Sequence, residues 1–304
     1  MAMSRGQDPA GDFDLARPVS STPRSAMSLL ELRVTLVTVA ILVCLAMVAW
    51  ILTVRQAADM SSMVLGLGQI GGRMPSDIGA PIFLSMWLTM MVAMMFPTIA
   101  PIVLAHRAVV RKRGEGTLSN AIFVLGYLVA WTLFGLIPLA ALIGFRALPM
   151  EAPSSWWLPR LAGTILIIAG LYQFTPLKHI CLKACQNPLG FILQHDFSSG
   201  ARGAFRAGTS HGAFCLGCCW ALMTVLVVVG LMNLAWMAGI AVVFLVEKNW
   251  RHGVGLSRVV GTAVAVLGVA IILDPALLQT VSGGAALGGG YGPDLCREQR
   301  RNHH

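Results

Sequence analysis

Charge is what this sequence has least of. Asp, Glu, Lys and Arg make up 12% of its 304 residues, whereas a soluble domain carries about 25%. The 22 basic residues outnumber the 13 acidic ones. The excess sits mostly between apolar runs and is not interleaved with stacking aromatics. That pattern excludes nucleic-acid binding and leaves a topology signal. The chain has no glycine-rich phosphate-binding loop and no nucleophile triad, so neither ATP hydrolysis nor any other enzyme activity is expected. Its seven cysteines lack the spacing of a secreted disulfide framework. The first 25 residues contain no early apolar stretch and no cleavage signature, so no cleavable signal peptide is expected.

What is present is apolar sequence, 56% of the chain. A membrane helix needs about 20 such residues. The runs Leu32–Val54, Pro81–Ala105, Asn120–Phe145 and Leu158–Leu177 read as four spans, with Pro138 as a kink in the third. From Ala213 to Val246 the sequence is almost continuously apolar and is divided at Gly230 into a fifth span (about Gly208–Gly230) and a sixth (about Leu231–Trp250). A re-entrant hairpin is the alternative there. Leu256–Leu273 is the seventh run. The expectation is an all-α, polytopic integral membrane helix bundle of about seven transmembrane helices. Residues 1–28 read as a disordered cytoplasmic N-terminus, 29–275 as the metal-binding membrane domain and 276–304 as a flexible Gly-rich tail. With the N-terminus inside, most Lys and Arg fall on the cytoplasmic side of the membrane, and the segment around Cys181 falls there too.

Five cysteines lie within 39 residues: Cys181, Cys185, Cys215, Cys218 and Cys219, with His179 and His211 beside them. On a helix Cys181 and Cys185 share a face, as do His211, Cys215, Cys218 and Cys219. Soft thiolates favour Cu(I), with zinc as the alternative metal. One helix face cannot surround an ion. The site is therefore expected to combine Cys181 and Cys185 with Cys215 and Cys218, leaving His179, His211 and Cys219 as spare or exchange ligands. Buried cysteine as plain apolar filling, and thiol–disulfide electron transfer, are the competing readings.

A second soft-ligand set lies on the second span. Met86, Met90 and Met94 form one helical row, and Met91 and Met95 form the row beside it. Thioethers bind Cu(I) and do not form disulfides, although methionine also fills gaps in any apolar core. Met60, Met63, Met74, Met150, Met232 and Met237 are placed towards the outer side, and Cys296, His303 and His304 in the tail. Cys44, His106, His195 and His252 carry no ligand pattern; His106 is expected to be a solvated interfacial residue. Glu247 and Lys248 read as an interfacial ion pair, with Glu247 a further candidate ligand.

Several segments resemble the predicted metal-binding integral membrane proteins of bacteria, a family that includes a copper chaperone associated with polyphenol oxidase (tyrosinase). The matching residues are Met86-Trp87, Met90-Met91, Ala93-Met94-Met95-Phe96-Pro97, Thr175-Pro176-Leu177-Lys178, Cys181-Leu182, Cys185, Asn187-Pro188-Leu189, Gly203-Ala204-Phe205-Arg206, Gly230, Met232-Asn233, Trp236-Met237 and Glu247-Lys248. The most specific stretch runs from His211-Gly212 through Cys215-Leu216-Gly217-Cys218-Cys219-Trp220 to Leu222-Met223. The resemblance covers about residues 80–275. It implies metal binding, a bacterial inner-membrane location and a copper-dependent enzyme as client. Membrane lipid and a second copy of the chain are the other expected partners. The alternatives carried forward are a transmembrane thiol–disulfide carrier and a structural subunit with a fixed zinc site.

Overall fold

The computed structural model describes residues 24–59, 79–114, 116–147, 157–194, 200–230 and 233–283. The described residues are helical and contain no strand. The helices are α1 (Arg24–Asp59), α2 (Ala80–Lys112), α3 (Leu118–Ala147), α4 (Trp157–Tyr172), α5 (Pro176–Gln186), α6 (Pro188–Gln194), α7 (Ala201–Val229), α8 (Leu234–Asn249), α9 (Gly253–Leu273) and α10 (Ala276–Gly283). The chain divides into two compact units, residues 1–38 and 39–304. The described part of the first is the start of α1, where the Thr38 hydroxyl donates back to the Val34 carbonyl at 2.9 Å.

Helix starts follow local chemistry. Thr175 caps α5 by accepting from the Lys178 N–H, and Pro176 occupies the first position, where a missing N–H costs nothing. Asn187 accepts from the Gly190 N–H ahead of α6, and Asn233 accepts from the Trp236 N–H ahead of α8. Gly230 ends α7 with φ at 112°, a conformation that favours glycine, so the apolar stretch divides where the sequence suggested.

Among the described residues five helices are long and apolar enough to cross a membrane, and α4 with α5 makes a sixth candidate, bent by 61°. The seven expected spans need α8 as well. At 16 residues it extends only about 24 Å, less than the roughly 30 Å hydrocarbon thickness. The fourth predicted run does not continue straight to Leu177, because α4 ends at Tyr172 and the chain turns into α5.

Small residues let the helices approach closely, as packing without a strong hydrophobic drive requires. A Cβ placed on Gly208 of α7 would lie 1.9 Å from the Phe123 carbonyl oxygen of α3. Gly163 and Gly170 of α4 face Gly268 and Gly261 of α9 in the same way. The core formed between α2, α3, α5 and α7 includes Phe123, Tyr127, Trp131, Leu182, Leu222 and Leu226. Large apolar side chains such as Ile41, Leu133, Ile168 and Val259 face outwards, the arrangement of a membrane protein.

Candidate metal centre

Cys215, Cys218 and Cys219 lie on one side of α7 because offsets of three and four residues return to the same helix face. Cys185 comes from α5, which the bend after α4 turns against α7. The sulfurs of Cys185, Cys215 and Cys218 all lie within 4.8 Å of one another. Cys185 Sγ is 3.9 Å from Cys218 Sγ, and Cys219 Sγ is 3.3 Å from Cys218 Sγ. Thiolates bound to one metal at about 2.3 Å stand roughly 3.8–4.0 Å from each other in tetrahedral or trigonal geometry. The separation between the two helices therefore already suits a shared soft metal.

Cys181, His211 and His179, the other expected ligands, are not part of this group. Cys181 rests against α7 where residue 217 is glycine; a Cβ there would come within 2.5 Å of the Cys181 sulfur. His211 lies one turn before Cys215, with its ring against Phe123, Tyr127 and Phe191. It is 2% exposed and its Nδ1 has no hydrogen-bond partner, a costly arrangement for a buried polar atom unless something completes it. His179 Nε2 is likewise buried and unpartnered.

The charged residues depart most from expectation. Glu247 and Lys248 do not pair with each other, and neither is a solvated interfacial residue. Glu247 accepts from Lys178 Nζ at 3.0 and 3.2 Å, and both side chains are buried. Lys178 also donates to Gln173 Oε1, which accepts from Ser257 Oγ at 3.2 Å. The Gln186 amide donates to the Glu247 carbonyl at 2.7 Å. These bonds fasten α5 to α8, so Glu247 positions the helix that carries Cys185. Two consecutive helix residues point about 100° apart around the axis, which is why Lys248 leaves α8 on another side. Its Nζ lies 3.1 Å from Cys215 Sγ, 3.2 Å from Thr98 Oγ1 and 3.6 Å from Met95 Sδ. The Tyr127 hydroxyl approaches Cys215 Sγ at 3.2 Å.

The sequence did not point to Lys248 and Tyr127 as neighbours of the thiols, nor to Lys178 and Thr98 as the partners of Glu247 and Lys248. A signal existed for the two lysines and Glu247: charges inside apolar segments are seldom placed there without a partner or a role. Tyr127 and Thr98 carried no such mark. His106 is not the solvated interfacial residue expected. It is buried, its Nδ1 is 3.0 Å from Asn120 Oδ1, and its ring stacks on Phe123.

Met86, Met90, Met91, Met94 and Met95 are all buried, so neither methionine row faces lipid. Met95, in the row given second place, is the methionine whose sulfur meets Lys248. Pro97 and Pro101 interrupt the hydrogen-bond ladder of α2 beside it. Met237 is buried, whereas Cys44 and His252 are exposed. Met60, Met63, Met74, Met150, Met232, His195, Cys296, His303 and His304 lie outside the described residues.

The fold and the centre thus define a helical membrane protein with a buried cluster of thiols. The PpoB2 copper chaperone family model matches residues 84–271, a stretch that runs from α2 into α9 and contains every residue of the centre. The chain belongs to that family, which is one of chaperones rather than enzymes. No curated protein and no solved structure matched.

Proposed function

We propose that this protein accepts Cu(I) at Cys185, Cys215 and Cys218 and passes it by way of the α2 methionines to a copper-dependent enzyme. The observation that carries the reading is the approach of three thiols from two helices to within 4.8 Å of one another. Cys219 beside Cys218, Cys181 against Gly217 and His211 one turn before Cys215 are the exchange ligands of this reading, with His179 a more remote candidate. A surplus of donors suits transfer, because a metal can gain one ligand before losing another. Thioethers continue the soft-ligand path. Copper, rather than zinc, is the metal proposed on the strength of the family description.

The protein is placed in a bacterial inner membrane with the cysteines towards the cytoplasm, where thiols stay reduced. Support comes from the basic residues of the connections (for example Arg107, Arg111, Arg202 and Arg206). Reporter fusions at residue 195 should report the cytoplasmic side; an external signal there would reverse the orientation.

Purified full-length protein, kept reduced and free of chelators, should carry about one Cu(I) coordinated by sulfur. Cys215→Ser combined with Cys218→Ser should abolish it, as read by metal analysis and X-ray absorption. Full occupancy in the double variant would remove the site assignment, and zinc in place of copper would favour a fixed structural site. The 3.9 Å approach of Cys185 to Cys218 also favours one second reading, a thiol–disulfide carrier. Trapping a mixed disulfide with a partner protein through Cys218 would support that reading over copper transfer.

A further inference from the structure

The side-chain nitrogen of Lys248 is the shared neighbour of two sulfurs that belong to different parts of the proposed path. It lies 3.1 Å from Cys215 Sγ in the thiol centre and 3.6 Å from Met95 Sδ on α2. Its third contact, to Thr98 Oγ1 at 3.2 Å, matches the third proton of an ammonium group. The Phe244 ring lies 5.7 Å away on the same helix, and the side chain is 6% exposed. Lys248 is therefore held in place from α2, α7 and α8 at once, with its charged end between the thiol and the thioether.

We propose that Lys248 is the gate between the thiol centre and the methionine face. Resting on the proposed function, the inference adds a positioning residue that decides when copper leaves. With Lys248 in place, Cys215 and Met95 meet the same ammonium and not each other's metal. For transfer, the lysine withdraws, a copper–Met95 bond forms and the copper–Cys215 bond breaks, so that copper is held by Cys185, Cys218 and Met95 before it leaves the remaining thiolates. Copper remains Cu(I) and no electron moves. The thiolate left at Cys215 takes back the hydrogen bond of the returning Lys248. The hydrogen bond that Lys248 donates to Thr98 Oγ1 favours the closed position.

The test uses full-length protein in detergent, reduced, loaded with Cu(I) and mixed with the colour-forming Cu(I) chelator bathocuproine disulfonate. Lys248→Leu should load the same copper as the wild type and release it about tenfold faster, since it offers neither an ammonium nor a new ligand. Adding Met95→Leu should return the rate to near the wild-type value. An acceleration that survives Met95→Leu would reduce Lys248 to a local charge effect and overturn the gate, as would an unchanged or slower rate in Lys248→Leu. Thr98→Val keeps the shape of the side chain and removes only the hydroxyl, so it tests the gate even if Lys248→Leu fails to fold. It should speed release about twofold to threefold, and no change would count against the gate. A wild-type protein that takes up no Cu(I) would sink the proposed function itself. Normal loading without the mutant effects would sink the gate alone.

Discussion

Glu247 and Lys248 leave the last turn of α8 in different directions, and their surroundings differ in kind. Glu247 meets the opposite charge of Lys178, with Gln173 and Ser257 extending the network. Lys248 meets two sulfurs and a hydroxyl. A buried carboxylate matched by an ammonium makes a joint, because separating them leaves an uncompensated charge in a medium that solvates it poorly. An ammonium among soft, polarisable sulfurs has weaker reasons to stay. One helix turn thus carries a fixed fastening towards α5 and a looser contact towards α2 and α7. Both helices of the thiol centre are reached from it, α5 through Lys178 and Gln186 and α7 through Cys215.

The contrast is broken most directly by removing one charge from each side. Lys178→Met strands the Glu247 carboxylate and should destabilise the fold by about 3–5 kcal/mol. A charge exchange, Lys178→Glu with Glu247→Lys, should recover part of the loss. Lys248→Leu removes hydrogen bonds but strands no carboxylate, and should cost about 1–3 kcal/mol. Apparent melting temperatures in detergent compare them, and equal losses would mean that the two sites do not differ in kind.

The second comparison is between the two methionine rows. Met91→Leu with Met95→Leu should lower copper delivery to an external cuproenzyme more than Met86→Leu with Met90→Leu and Met94→Leu. Leucine nearly conserves volume in all five positions, so stability should change by less than about 1.5 kcal/mol per site. Cuproenzyme activity in copper-limited cells, at matched protein levels, reads the effect. The reverse order would restore the Met86, Met90 and Met94 row to first place, and unchanged activity in both variants would leave methionine as packing.

A smaller effect is expected at Cys181. Gly217→Ala adds a methyl group where the sulfur of Cys181 now lies and should displace that thiol. Copper content should hold while affinity falls by up to about tenfold, the lower end for a disturbed supporting residue. Competition with a chelator of known affinity measures it. Unchanged affinity would make Cys181 an apolar core residue.

The sequence by itself determined the helical membrane class, because low charge and long apolar runs admit few other solutions. It also determined the break at Gly230 and the grouping of cysteines on α7, since each depends on residues within a turn or two; the break before the Thr175 cap, inside the run read as a fourth span, was missed. Which cysteines meet across helices was decided only by tertiary structure. Cys181 and Cys185 share a helix face and are equal by spacing, yet Cys185 joins Cys215 and Cys218 while Cys181 lies against Gly217. The partners of Glu247 and Lys248 were equally hidden. Opposite charges side by side in sequence suggest a pair, but successive side chains on a helix diverge by about 100°. Their partners are Lys178, 69 residues away, and Cys215, 33 residues away, brought within reach by the bend before α5 and by the close packing of glycine-bearing helices.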